Sequence, residues 1–347
     1  MTSLQRFASV DPGEQAISAV AGSLVFLAFV SVFALPQATI YLLGGFVAVT
    51  AYGWVTDREQ TAKFLFLLMT VSTVLILGLI TIYLLVESVP AFSTVGLDLF
   101  VQTQWSSGEQ VYTLVPMIWG TFVTTIIAMF VAGPLGLAGA IFLSEIAPGW
   151  AREITKPAIE VMAGIPSIVY GFLGYIVFSK FLMRGSVLEL PQLGSLFAVG
   201  IVIGLMALPT VVSVAEDALT AVPDSMRDGS HALGVTDWQT TNSVTLPAAF
   251  SGVSAAVILG VGRVVGETMA ATVILANVTR LPDPLTDVFG NTITLTSLIA
   301  NQHGTASGLQ LSVLFAAGVV LFITVISLSI GSQYIEARMQ RKLGGKQ

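Results

Sequence analysis

Cysteine is missing from this chain, which excludes disulfides, thiolate metal sites and cysteine nucleophiles. Histidine is almost missing: His231 and His303 lie far apart and offer no metal-ligand spacing, so no metal site is expected. Charge is scarce as well. Only 10% of the 347 residues are Asp, Glu, Lys or Arg, against about 25% in soluble domains. No GxxxxGK[ST] stretch occurs, so the chain cannot hydrolyse ATP by itself. Gly260-Val261-Gly262 opens like a dinucleotide fingerprint, but Val265 stands where the third glycine belongs. The net charge of −6 argues against a nucleic-acid partner. The opening MTSLQRFASVDPGEQ lacks the charged-then-apolar pattern and cleavage site of a signal peptide.

Apolar sequence is what the chain has in quantity. With 54% hydrophobic residues and a mean hydropathy of +0.87, it is predicted to be an all-α integral membrane protein. Eight spanning helices are expected, at about 16–35, 38–55, 63–87, 114–143, 158–180, 195–215, 250–276 and 309–334. Pro36 divides the first two as a tight hairpin. The fourth is too long and glycine-rich for one plain span, and Gly133-Pro134 is expected to kink it or to begin a surface helix. Trp105, Tyr112 and Trp119 read as interfacial anchors. With both termini inside the cell, ten of the 14 Lys and Arg fall in cytoplasmic segments: Arg6, Arg58, Lys63, Arg152, Lys156, Arg227, Arg338, Arg341, Lys342 and Lys346. Lys180, Arg184 and Arg280 fall outside, so the positive-inside rule selects this orientation.

Arg263 is the remaining cation, and it lies near the centre of SGVSAAVILGVGRVVGETMAATVILA, residues 251–276, with Glu267 one helical turn on. A charge at that depth costs about 2.5–3.5 kcal/mol, which marks a path or binding site. Arg263 offers a planar, permanently charged fork that matches tetrahedral oxyanions. Glu267 at i+4 either holds that fork or competes with the anion for it. Gly262 and Gly266 admit a neighbouring helix beside the pair. The alternative is a buried ion pair that only fixes helix register. In the span 158–180, Gly164 and Pro166 interrupt the helix, and Ser167 and Tyr170 satisfy the freed backbone or face a polar path. A simple proline kink is the plainer reading of that pattern.

Between two spans, residues 216–249 are longer than a connector needs. Met226 to Leu233 predicts a short helix, Gly234 a break, and Asp237 the N-cap of a second helix that Leu246-Pro247 closes. Such a knob either docks a soluble partner or lies on the membrane surface.

The sequence of this knob resembles the EAA loop of ABC importer permeases. The matching residues are Asp228-Gly229-Ser230, Ala232-Leu233-Gly234 and, twelve positions later, Leu246-Pro247. Ala207-Leu208-Pro209-Thr210, Glu216 to Pro223, Ile165 to Gly171 and Gly262 to Ala270 are similar to the phosphate-specific branch of that family. The resemblance covers residues 63–335 as a six-helix permease core, leaves 1–62 as two extra spans without a role, and leaves 336–347 as a basic tail. It departs at Asp228-Gly229-Ser230, where the family has Glu-Ala-Ala. Gly and Ser each weaken a helix by roughly 0.5–1 kcal/mol relative to Ala.

What the resemblance implies is a permease for phosphate, not an enzyme. Arg263, Glu267, Thr268, Ser167 and Tyr170 would line the substrate path. Arg227, Asp228, Gly229, Ser230, Ala232, Leu233, Gly234, Leu246 and Pro247 would couple to an ATPase. It also implies a second related permease, two ATPase subunits that carry ATP and Mg, and an extracytoplasmic phosphate-binding protein. This chain itself would hold no cofactor. Another oxyanion, sulfate or molybdate, is the alternative substrate; a stand-alone channel or secondary transporter is the alternative class, and it leaves the knob unexplained. An intramembrane enzyme lacks a nucleophile and base, because Glu267 is the lone acid at mid-depth.

Overall fold

Inside a bilayer every backbone N–H and C=O needs a partner within its own segment, so apolar runs of this length fold as helices. The computed structural model describes residues 12–183 and 194–342 as helices, turns and loops, with one isolated bridge between Ser106 and Val111. Arg6, Arg184 and Lys346 lie outside the described residues, as do the side chains of Arg341 and Lys342. The chain divides into two units, residues 1–83 and 84–347.

In the first unit, α1 (Pro12–Ala34) and α2 (Pro36–Thr56) form the expected hairpin around Leu35. Proline at the first position of α2 needs no helical donor there. Ser31 and Thr39 bond across the turn at 2.8 Å. Asp57 accepts the Gln60 N–H at 3.2 Å and opens α3 (Arg58–Thr94).

The second unit is organised on α4 (Val115–Ile141) and α7 (Leu196–Thr220), which pack along their lengths. Lipid provides no hydrophobic drive between helices, so close backbone approach must supply dispersion instead. At Gly204 an added Cβ would lie 2.7 Å from the Ala128 carbonyl oxygen, and at Gly136 2.7 Å from Val211 Cγ1. Ala128, Ala132, Val199, Ile203, Ala207 and Val211 fill the seam. α10 (Phe250–Val265) joins it through Gly260, whose Cβ would stand 2.6 Å from Val211 Cγ2. A second cluster, including Leu99, Leu114, Met117, Ile293, Leu298 and Val313, ties the start of α4 to α12 (Leu295–Gln302) and α13 (Gly308–Lys342). Tyr112 belongs to it and is 5% exposed, edge-on to Trp105 at 5.1 Å, while Trp119 packs on the α4–α7 core. All three therefore pack against other parts of the protein.

Among the described residues, five helices are long and apolar enough to cross a membrane alone, or up to seven if each bent pair is one span. α4 runs unbroken through Gly133-Pro134 and ends in a π turn, Phe142–Ile146. The span expected at 158–180 is two pieces, α5 (Gly149–Gly164) and α6 (Ser167–Leu173, extended by a π turn to Ser179), bent by 90° at Ile165-Pro166. The span expected at 250–276 stops with α10 and restarts as α11 (Met269–Ile274).

Candidate functional site

Two helix breaks meet here. α6 and α11, the segments that restart after each break, pack at Gly171, where a Cβ would come within 2.8 Å of Ala270 Cα. At the first break Pro166 has no N–H to give to the Met162 carbonyl four residues back. Tyr170 Oη donates to that carbonyl at 3.0 Å, and the Ile165 N–H adds a longer contact at 3.4 Å. The tyrosine thus repairs the backbone, one of its two expected roles. Ser167 is half-buried and its hydroxyl makes no hydrogen bond to the described residues.

At the second break the sequence reading needs correcting. Arg263 and Glu267 do not share a continuous helix. Gly266 ends α10, its N–H bonding Gly262, and Glu267 and Thr268 lie in the gap. Glu267 Oε1 accepts the Ala270 N–H at 3.1 Å, its carbonyl accepts Thr296 Oγ at 2.9 Å, and it forms no ion pair with Arg263. Thr268 turns its hydroxyl back onto the Gly266 carbonyl at 3.2 Å. Arg263 stands in the last turn of α10, where the helix dipole favours a cation. It is exposed and has no salt bridge or hydrogen bond to the described residues. Gly262 meets nothing within 4 Å in this chain; the close-approach glycines of α10 are Gly252, against Ala218, and Gly260, against Val211. Thr296 was not foreseen, because its partner lies 29 residues away and no local pattern marks it.

The knob is a second, separate group. α8 (Asp224–Ala232) stays helical through Asp228-Gly229-Ser230 despite their low propensity. Tertiary bonding outweighs propensity there: Ser230 is 8% exposed and shares a 2.6 Å hydrogen bond with Thr240 Oγ. Gly234, with φ +80°, ends the turn in the left-handed region. Thr236, not Asp237, caps α9 (Asp237–Thr240), forming a capping box with Gln239. Asp228, Gly229, Ala232 and Leu233 are exposed, as are Met226 and Trp238, whereas Leu246 and Pro247 are half-buried and Leu246 packs inward. Arg227 faces inward too. Its Nη2 meets Glu145 Oε1 at 3.1 Å and the Leu219 carbonyl at 2.8 Å; its Nη1 meets the Val222 carbonyl at 2.9 Å and Asp224 Oδ1 at 3.0 Å. Glu145 had no sequence signal, since it lies 82 residues from Arg227.

The family described as "Binding-protein-dependent transport system inner membrane component" matches residues 134–341. A "Probable ABC transporter permease protein YqgH" of Bacillus subtilis is 36% identical over 75% of this chain and 84% of its own length. A "Phosphate transport system permease protein PstC" of Pasteurella multocida is 34% identical over 83% of this chain and 93% of its own. A probable protein of the same description from Methanocaldococcus jannaschii is 33% identical over 76% of this chain and 88% of its own. Among solved structures, a chain of a bacterial alginate ABC transporter superposes with a TM-score of 0.58 at 14% identity, over 84% of this chain and 98% of that one. A chain of the MetNI methionine ABC transporter gives 0.53 at 19%, over 68% and 99%. At these identities the two structures share the fold alone.

Proposed function

This chain belongs to the binding-protein-dependent transport system inner membrane components, and we propose that within them it is a permease subunit of an ATP-driven phosphate importer. It is a multi-pass membrane protein and a transport permease, not an enzyme. The observation that carries the reading is Arg263, exposed and without an ion partner among the described residues, at a break in an apolar helix. A guanidinium bare against lipid is too costly to keep, so its exposed side faces an aqueous path. There its fork binds two oxygens of a phosphate. The hydroxyl of Ser167, at the start of α6 and without a hydrogen bond among the described residues, can serve the same anion. Glu267 supports by capping α11 and so does not compete for the guanidinium. Tyr170 and Thr268, both engaged with backbone carbonyls, shape the path more than they line it.

Relatives named for phosphate transport support the substrate. The remaining parts follow from the family. A second permease covers the open face of α10 around Gly262, and an extracytoplasmic phosphate-binding protein delivers the anion. Two ATPase subunits hold ATP and Mg and receive the exposed knob, Met226, Asp228, Leu233 and Trp238. Both termini lie in the cytoplasm. The test is the reconstituted complex in vesicles, following labelled phosphate. Arg263→Gln is expected to abolish uptake while the complex still assembles; wild-type uptake by it refutes the reading. Excess sulfate is expected not to compete, and vesicles lacking the ATPase are expected to show no flux.

A further inference from the structure

Glu145 has no part in the anion path, yet it is largely shielded from solvent and paired. It sits in the π turn that ends α4, with its side chain 10% exposed, and pairs Arg227, 19% exposed. The same guanidinium donates to the Leu219 and Val222 carbonyls at the end of α7 and just beyond it. Its contact with Asp224, at the start of α8, is to a side chain 89% exposed and contributes little. One cation therefore joins the ends of α4 and α7 to the first turn of the knob. A cavity of about 260 Å³ lies against it, lined by Ser144, Glu145, Arg227, His231, Asp237 and Thr240 among others. Glu145 is the one largely shielded carboxylate that meets the guanidinium among the described residues, beside the two carbonyls, and its removal leaves that charge less compensated.

We infer that Glu145 is a positioning residue that clamps the knob to α4 through Arg227, so that displacement of the knob moves α4 and α7 with it. This rests on the transport reading above. The full complex, with both permeases, the ATPase subunits and the binding protein, is reconstituted with Glu145→Ala or Glu145→Gln. Labelled phosphate taken up per ATP hydrolysed is compared with hydrolysis alone and with complex yield. In Glu145→Ala the ratio is expected to fall about tenfold or more while hydrolysis and yield persist, the factor that accompanies loss of a charged hydrogen bond. Glu145→Gln keeps an acceptor oxygen and is expected to lose less. An unchanged ratio in Glu145→Ala overturns the proposal, as does a parallel fall of uptake, hydrolysis and yield in both variants. Should Glu145→Ala fail to assemble, the ratio in Glu145→Gln decides: a fall supports the clamp and a wild-type value overturns it. A wild-type complex without ATP-dependent uptake would refute the transport reading itself, and the clamp with it.

Discussion

Glu267 separates a helix cap from a counter-ion. Its carboxylate takes the Ala270 N–H at 3.1 Å, and Arg263 has no part in that contact. Glu267→Ala removes the cap, a change that costs about 0.5–2 kcal/mol and typically near 1. A loss of 1 kcal/mol multiplies the population of the locally opened α11 about fivefold, and amide exchange reports that opening. Exchange at Ala270 and along Met269–Ile274 is therefore expected to quicken about fivefold in the assembled complex. Glu267→Gln keeps an oxygen acceptor and loses only the charge at a helix start, about 0.3–1 kcal/mol, so exchange should rise about two- to fivefold. In both variants the half-saturation for phosphate uptake is expected to stay within about twofold, because Arg263 has no ion partner among the described residues. The reasoning fails if Glu267→Gln tightens phosphate markedly while exchange in α11 is unchanged. That result would mean the carboxylate had been neutralising the arginine.

Three further substitutions test the packing of the helices. Tyr170→Phe removes the shorter of two hydrogen bonds to the Met162 carbonyl, and should lower the stability of the assembled complex by about 0.5–1.5 kcal/mol. Its half-saturation for phosphate should not move, and a clear rise would return Tyr170 to direct contact with the anion. Gly204→Val drives a side chain into the Ala128 carbonyl, and overpacking of this kind costs about 1–3 kcal/mol. The yield of folded chain should fall. Gly262→Val, facing open space within this chain, should leave that yield intact and instead impair co-purification with the second permease.

Much of the architecture is legible from local sequence alone. Membrane class follows from the dearth of charge, and the α1–α2 hairpin from Pro36. The knob follows from Gly234 and from polar residues set between apolar runs, although its N-cap falls on Thr236, one residue before the expected Asp237. Arg263 was visible because a permanent cation in an apolar run is costly wherever the helix lies. All of these depend on neighbours a few residues apart.

What could not be read concerns bonds whose two ends are remote in the chain. The stretch around Glu267 contains no proline and keeps apolar character through Gly266, so sequence periodicity carries the helix straight across it. The break is held by Thr296 on the Glu267 carbonyl, a contact that exists only once α12 has folded over. Ser230 keeps a poor helix-forming triplet helical through Thr240, and Glu145 meets Arg227 across 82 residues. Composition and the isolated cation thus determined what class of molecule this is and where its charge stands. Only the tertiary structure decided which groups answer that charge and which leave it free, because pairing depends on proximity in space and local sequence encodes only proximity along the chain.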